Sequence, residues 1–462
     1  MPRFTTVSLL KLLRLIFLLI VLVSVVVALV HPDKSKEAIA ANNRGHDDFT
    51  KGNVDGALAE YDSAIQLDPA NSIFFYNRAE ARLNKGDAAG AMADYNKAIE
   101  LDPKDSSAYH NRGHAKDLAG DTQGAIADYN KAIELDPNDA ESYNNLALIR
   151  AHQGDLTTAL AGYDKAISIN PKVAIFLFNR AAAKDDNGDT EGALADYNQA
   201  IILDPNDSSA YNNRGMVKEK KGDYDAALTD LDQSIKLDPK DGVGYFNRGL
   251  IKQDKSDLAG AIADYDQAVE LTPDNPKYYN SRGWAKFLKS DPAGATADYD
   301  QSIKLQPENP DAYLNRAYAQ YTGGHSSEAG ADFQKALDLK STDHDYPRFF
   351  ICLIKMENPD LKAAAIKELS DYLPTRPSDA TPWPLQVGRF LTGQLSEADF
   401  LKAADSSQSA DQQCEANFYV GIMHELAGDK AGALPFYQKS VATNVKSYSE
   451  YQISQAKLQA SK

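Results

Sequence analysis

The sequence repeats itself with a period of 34 residues, and this period constrains the fold more than any other feature. Proline recurs at that spacing without a slip, at Pro69, Pro103, Pro137, Pro171, Pro205, Pro239, Pro273 and Pro307. Alanine keeps the same register at Ala57, Ala91, Ala125, Ala159, Ala193, Ala227, Ala261, Ala295 and Ala329, and a large ring or leucine follows each of them at Tyr61, Tyr95, Tyr129, Tyr163, Tyr197, Leu231, Tyr265, Tyr299 and Phe333. A unit copied many times predicts a solenoid, in which each repeat packs on its neighbours. We predict nine repeats, from 38–71 to 310–343.

Each repeat is predicted to contain two amphipathic helices, as residues 107–137 illustrate. Gly120 and Asp121 separate the two helices, because glycine ends a helix in the left-handed conformation and aspartate caps the next one. Pro137 closes the second helix, since proline cannot continue it. One helix pair cannot bury its apolar face alone, so stacked neighbours must complete the core. The sequence therefore predicts an all-α chain.

These repeats resemble the tetratricopeptide repeat family. The matching features are a ring at unit position 4, glycine or alanine at 8, alanine at 20 and 27, a ring at 24 and proline at 32, across residues 38–343. The resemblance implies a right-handed α-solenoid whose concave groove is lined by the first helix of each repeat. It also implies a scaffold or adaptor that binds extended peptides or partner proteins in that groove.

After residue 343 the period weakens. We interpret 344–410 as degenerate helical repeats, 414–447 as a further repeat and 448–462 as a polar capping helix. The runs ATPWPLQVGRFLTGQLSEADFLKAAD and CEANFYVGIMHELAGDKAGALPFYQKSVATNV resemble the carboxy-terminal part of NlpI-type envelope lipoproteins. That resemblance implies an adaptor in the cell envelope that docks proteases or cell-wall hydrolases.

The amino-terminal segment, residues 1–37, is predicted to be a membrane anchor or a signal segment. Sixteen uncharged residues run from Leu15 to Val30, and Arg3, Lys11 and Arg14 precede them. Positive charge on this side keeps the amino terminus in the cytoplasm and directs the rest of the chain outward. An uncleaved transmembrane signal-anchor and a cleaved signal peptide both fit, so we expect the repeats on the exported, extracytoplasmic or periplasmic side.

Two positions depart from the usual repeat pattern and predict an ion pair within each repeat. Position 7 is arginine in eight repeats and position 23 of the second helix is acidic in eight. The fourth repeat lacks both groups, with Leu146 and Gly162 in their places. Their joint absence indicates that the arginine and the carboxylate bind each other. Independent drift of one divergent copy is the alternative.

Candidate partner-binding residues lie on the face of the first helix that we expect to line the groove. Position 6 provides an asparagine row, at Asn43, Asn77, Asn111, Asn145, Asn179, Asn213, Asn247 and Asn315. Each amide could pair with a peptide group of a bound strand, as in the asparagine ladder of O-linked N-acetylglucosamine transferases, or it could serve the neighbouring repeat. Large apolar groups follow in repeats seven to nine, at Phe246, Leu250, Trp284, Phe287, Leu288, Leu314, Tyr318 and Tyr321, after acidic groups at Asp117, Asp185, Asp186 and Glu219. This order predicts a groove for a basic and then apolar segment, unless the rings pack on the adjacent repeat.

Other classes of function find little support in the composition. A formal net charge of −17 argues against nucleic-acid binding, which needs a basic surface. Two cysteines, Cys352 and Cys414, cannot form a disulfide scaffold or a cysteine-ligated zinc site. His110 and His114 have a metal-ligand spacing but no evident third ligand. We therefore predict no enzyme activity, no cofactor and no metal. The alternatives are a structural organiser of an envelope secretion or cell-wall complex and, more remotely, a metal chaperone or enzyme.

Overall fold

The computed structural model describes residues 32–376 and 381–461. These residues form α-helices joined by short turns, with one short 3₁₀ helix, Leu373–Thr375, so that the predicted all-α architecture is confirmed. They fall into two compact units that divide between Pro205 and Asn206.

From residue 32 onward, the first unit contains ten helices that pair in sequence order, each pair being a first and a second helix of one repeat. They are α1 Pro32–Thr50, α2 Val54–Leu67, α3 Ser72–Asn84, α4 Ala88–Leu101, α5 Ser106–Leu118, α6 Thr122–Leu135, α7 Ala140–His152, α8 Leu156–Ile169, α9 Ala174–Asp186 and α10 Thr190–Leu203.

The second unit continues the pairs and ends in less regular helices. They are α11 Ser208–Lys220, α12 Tyr224–Leu237, α13 Gly242–Asp254, α14 Leu258–Leu271, α15 Pro276–Leu288, α16 Pro292–Leu305, α17 Pro310–Thr322, α18 Ser326–Asp338, α19 Tyr346–Met356, α20 Pro359–Tyr372, α21 Pro382–Leu391, α22 Glu397–Ser407, α23 Ala410–Leu426, α24 Lys430–Ala442 and α25 Ser449–Ala460.

The turn inside each repeat forms as the sequence predicts. Gly120 adopts a φ of +81°, and the Asp121 carboxylate accepts a hydrogen bond from the backbone N–H of Gly124 at 3.0 Å. Gly120 in the left-handed conformation ends α5, and the Asp121 side chain accepts a hydrogen bond from a backbone N–H that has no partner within α6. Serine replaces the glycine at Ser256 and Ser290, where φ is 64° in both cases.

A buried ring separates the two helices of a repeat. Tyr265 of α14 is fully buried and lies against Gly249 of α13. A Cβ atom at Gly249 would stand 2.6 Å from the Tyr265 ring, which is too close for an ordinary contact. A small residue at the crossing is therefore needed for the ring to fit between the helices.

The last helix, α25, lies in the segment 448–462 that the sequence predicts to be a capping helix, and one face of it is buried. Tyr451, Gln452 and Ile453 of α25 are buried. This helix packs on α24 and α23, and it also contacts α17, the first helix of the ninth repeat. The irregular helices α19–α22 replace regular repeats before it, and α25 covers part of a first helix.

Residues 1–31 of the predicted amino-terminal segment 1–37, including Leu15 to Val30, lie outside the described residues, and residues 32–37 belong to α1. Among the helices of residues 32–376 and 381–461, none is long and apolar enough to cross a membrane.

Candidate partner-binding surface

The predicted ion pair between the helices of a repeat is confirmed. Arg78 of α3 donates from Nε and Nη2 to the two oxygens of Asp94 in α4, at 2.8 and 2.6 Å. Its Nη1 also donates to Asp62 of the preceding repeat, at 2.6 Å. Arg82 donates to Asp94 as well, at 2.7 Å. Asp94 is buried, and its carboxylate accepts hydrogen bonds from two cationic side chains, Arg78 and Arg82.

We call this set of contacts the arginine ladder. It joins the two helices at Arg78–Asp94, Arg112–Asp128, Arg180–Asp196, Arg214–Asp230, Arg248–Asp264, Arg282–Asp298 and Arg316–Asp332, and Arg44 binds Glu60 in the first repeat. The hydrogen bonds that Arg248 donates to Asp264 raise the pKa of the Arg248 guanidinium. In the fourth repeat, a Cβ at Gly162 would lie 2.9 Å from Cβ of Ala147, so the helices approach too closely for an acidic side chain there. The ladder charges are therefore occupied in holding the repeats together.

The asparagine row makes hydrogen bonds between neighbouring repeats. Amide-to-amide bonds join Asn77 to Asn42, Asn179 to Asn144, Asn247 to Asn212 and Asn315 to Asn280, at 2.8 to 3.4 Å. Asn111 donates to the Tyr76 hydroxyl at 2.6 Å, while Asn145 and Asn213 accept from the preceding residue at 3.1 Å. This geometry favours the neighbouring-repeat role. Binding of a peptide by these amides stays a prediction, since each amide also has donor or acceptor capacity beyond one bond.

Three of the predicted groove rings are in the core instead. Phe287, Tyr318 and Tyr321 are 1%, 8% and 7% exposed. The rings of Tyr318 and Tyr321 each meet the Phe350 ring of α19 edge-on, with centroids 5.2 Å apart. The prediction that these rings face a groove is corrected, because α19 covers Tyr318 and Tyr321 and Phe287 belongs to the same buried cluster.

Three other predicted residues remain on the surface of the first helices. Phe246 and Leu250 of α13 are half-buried against the Ala261, Tyr265 and Ala285 cluster. Trp284 of α15 is also half-buried. Leu250, Trp284 and Tyr318 hold the same position in consecutive repeats, 34 residues apart. Leu250 and Trp284 form a row of half-buried side chains on α13 and α15, which we call the apolar row, and the buried Tyr318 continues it on α17.

The apolar row leads to a cavity of about 260 Å³, which we call the α25 pocket. Its walls come from α15, α17, the segment before α19, α23 and the start of α25, and its lining residues are Trp284, Tyr318, Asp343, Tyr346, Glu415, Ser447, Tyr448, Ser449 and Glu450. Sequence reasoning did not select the acidic residues. One signal was available, since Glu415 is at position 2 of the repeat 414–447, on the face that we assigned to the groove.

Two carboxylates of the α25 pocket are buried, and among the described residues their hydrogen-bond donors are all neutral. Oε2 of Glu415 accepts from the Tyr346 hydroxyl at 2.8 Å and from Trp383 Nε1 at 3.0 Å. Glu450 accepts from the hydroxyls of Tyr419 and Ser449, at 3.3 and 2.9 Å. Burial and the nearby Glu450 charge raise the pKa of Glu415 to about 8, and burial raises the pKa of Glu450. Burial also raises the pKa of Asp343 to about 6.

This raised pKa predicts that stability falls as pH rises. The Glu415 pKa is higher in the folded chain than in the unfolded chain, so its stabilising contribution is complete below about pH 4 and is lost as pH passes about 8. The groups that face it are Glu450 of α25, Asp411 of its own helix, Tyr346 of α19 and Trp383 of α21. Between pH 5 and pH 9 we expect the free energy of unfolding to fall by roughly 2–4 kcal/mol more in the wild type than in Glu415→Gln. Urea unfolding of both chains at several pH values measures the difference, and parallel curves would contradict it.

The histidine pair shows local contacts. Nδ1 of His110 lies 2.7 Å from the Ser142 hydroxyl and 3.5 Å from Asp139, while His114 is exposed. Within the described ranges, no group of three or more His, Cys, Asp or Glu residues is arranged to hold a metal ion. Both cysteines are buried thiols, and burial raises the pKa of each to about 11.

These observations define a helical-repeat protein. Family models described as TPR repeat match residues 118–154, 186–222 and 251–290. Models described as tetratricopeptide repeat match 42–106, 281–344, 208–241, 94–127 and 140–173. Together these ranges span more than half of the 462 residues, and the chain belongs to the tetratricopeptide repeat family.

Solved structures with similarity to this chain are also repeat proteins. A tetratricopeptide repeat protein from Parabacteroides merdae is 20% identical over 61% of this chain and 98% of its own, with a TM-score of 0.38. PilF from Pseudomonas aeruginosa is 18% identical over 44% of this chain and 93% of its own, with a TM-score of 0.41. YrrB, described as a TPR protein with an unusual peptide-binding site, is 22% identical over 39% of this chain and 93% of its own, with a TM-score of 0.34. A search of curated protein sequences finds no match.

Proposed function

We propose that this chain is a non-catalytic scaffold that binds an extended peptide segment of a partner protein along the apolar row of its second unit. The observation that carries this proposal is the alignment of Leu250 and Trp284 on consecutive first helices, leading to the α25 pocket. Tryptophan is among the residues that most often act as energetic anchors of interfaces, and Leu250 adds apolar contact area beside it. Trp284 combines a large apolar surface with an indole N–H.

The arginine ladder supports a scaffold role. Within each unit, several of its guanidinium groups also bind an aspartate of the preceding repeat, as Arg248 does with Asp232 at 2.7 Å while it bridges to Asp264 at 2.6 Å. A first helix fixed in this way presents its outer side chains in a constant geometry. Preorganised surfaces lose less entropy on binding.

The proposal includes export and a membrane tether. Residues 15–30 supply the apolar run and the preceding basic residues supply the orientation signal. The resemblance of the carboxy-terminal runs to NlpI-type lipoproteins supports an envelope protease or a cell-wall hydrolase as the partner. Intact mass of the purified protein and protease treatment of spheroplasts test this step. A full-length chain degraded from outside supports the tether, and a chain protected until lysis contradicts export.

Site-specific crosslinking tests the binding surface. A photo-reactive amino acid at Trp284 should capture a discrete partner in living cells. The matched control is Leu305, which is 40% exposed on the second helix α16. We expect a partner band at Trp284 and its absence at Leu305. Equal capture at both positions, or capture of lipid alone at Trp284, would contradict the proposed surface.

A further inference from the structure

The α25 pocket contains an exception to the way this chain treats buried acids. Seven buried aspartates lie in the arginine ladder, and each forms an ion pair with an arginine: Asp94, Asp128, Asp196, Asp230, Asp264, Asp298 and Asp332. Glu415 and Glu450 are buried to the same degree, with 3% exposure each. Within residues 32–376 and 381–461 neither of them forms an ion pair, and their hydrogen bonds come from neutral groups.

Glu415 also has hydrogen-bonding capacity that the fold leaves open. Both of its donors, Tyr346 and Trp383, bind Oε2. In the described part of the chain, Oε1 accepts no hydrogen bond, although Glu415 lines the pocket. Oε1 is therefore the oxygen of Glu415 that is open to accept a hydrogen bond from a donor bound in the pocket.

The other walls of the pocket suit a cation. Trp284, Tyr346 and Tyr448 line it with aromatic rings, whose faces attract positive charge. The volume of about 260 Å³ is enough for one long side chain and far too small for a folded partner. Because the pocket stands where the apolar row meets α25, a strand that follows the row would reach it with one residue.

We propose that the α25 pocket binds the positively charged side chain of a lysine or arginine in the partner segment, with Glu415 as the residue that accepts its hydrogen bond. This inference rests on the proposed function, since the apolar row holds the rest of the segment. The rings of Trp284 and Tyr448 contact the aliphatic stem and the charged group. The pocket therefore reads one basic residue beside an apolar stretch.

Short labelled peptides test the proposal on the full chain. The probes are fluorescein-labelled Ala-Leu-Xaa-Leu-Ala peptides in which Xaa is lysine, arginine, norleucine or glutamate, and binding is measured by fluorescence anisotropy. We expect lysine or arginine to bind at least about tenfold more tightly than norleucine, and glutamate to bind more weakly still. Equal affinity for lysine and norleucine, or no binding by any peptide up to millimolar concentration, would overturn the pocket assignment.

Two variants and one competitor make the test specific. Glu415→Gln keeps the shape of the side chain and should remove the preference for lysine and arginine, while Glu328→Gln, an exposed change on α18, should preserve it. Thermal melts of both variants establish that they fold. Free spermidine should compete only weakly, and competition as strong as that of the lysine peptide would show a small-cation site instead. Crosslinking at Trp284 that persists without any lysine preference would leave the proposed function standing and remove this inference alone.

Discussion

Replacing Asp230 with alanine is expected to lower the stability of the second unit by about 3–5 kcal/mol. Asp230 is buried and accepts hydrogen bonds from Arg214 at 2.8 and 2.6 Å, and Lys218 lies 2.7 Å from it. The substitution leaves two largely buried cations facing each other without their shared carboxylate. Both tryptophans, Trp284 and Trp383, lie in this unit, so their fluorescence during urea unfolding reports its stability.

A double-mutant cycle separates the ion pair from the cost of truncation. Arg214→Leu reproduces the residue found in the fourth repeat, where Leu146 stands opposite Gly162. Because the pair acts as one unit, Arg214→Leu combined with Asp230→Ala should be at least about 2 kcal/mol less destabilising than the sum of the single changes. Additive effects would mean that the two residues contribute separately to stability, and they would contradict a stabilising Arg214–Asp230 ion pair.

Replacing Tyr299 with alanine is expected to cost about 3–5 kcal/mol, because it empties a fully buried space between α15 and α16. The ring lies against Gly283, where an added Cβ would stand 2.9 Å from it. Because α15 and α16 are already in close contact at this crossing, they cannot move together far enough to fill the cavity that the ring leaves. Urea unfolding followed by tryptophan fluorescence measures the loss.

Tyr299→Phe is the matched control for this prediction. The Tyr299 hydroxyl is buried and has no hydrogen-bond partner in the described ranges. Deleting it should leave stability unchanged or raise it by up to about 1 kcal/mol, since no bond is lost. Leu231 and Phe333 already occupy the equivalent position in other repeats. A large loss in Tyr299→Phe would mean that the hydroxyl, and not the ring volume, holds the helices together.

Features that recur within one repeat could be predicted from the sequence. The helix bounds follow from the Gly-Asp turn, and the ladder follows from the paired presence of Arg78 and Asp94 and the paired absence at Leu146 and Gly162. Each copy repeats the same local contacts, so the sequence contains many examples of one interaction. The same regularity explains why four of the position 6 amides bond to an amide of the preceding repeat at a constant spacing of 35 residues, as Asn77 does with Asn42.

Features that depend on the irregular carboxy-terminal helices could not be predicted. Tyr318 has the pattern of a groove residue, and only its contact with Phe350 shows that it is covered. The α25 pocket joins Trp284 to Glu415 across more than a hundred residues, and no period relates them. The fold of α19 to α25 depends on long-range packing, which a repeat pattern does not encode.

The affinity of the crosslinked partner for the full chain and for Trp284→Ala tests the central claim most directly. Calorimetry with the purified partner should show a dissociation constant at least about thirtyfold larger for Trp284→Ala than for the wild type, as removal of an interface anchor predicts. The control Leu305→Ala, on the second helix α16, should bind like the wild type. Equal affinity of wild type and Trp284→Ala, or a comparable loss in Leu305→Ala, would contradict a binding surface on the first helices.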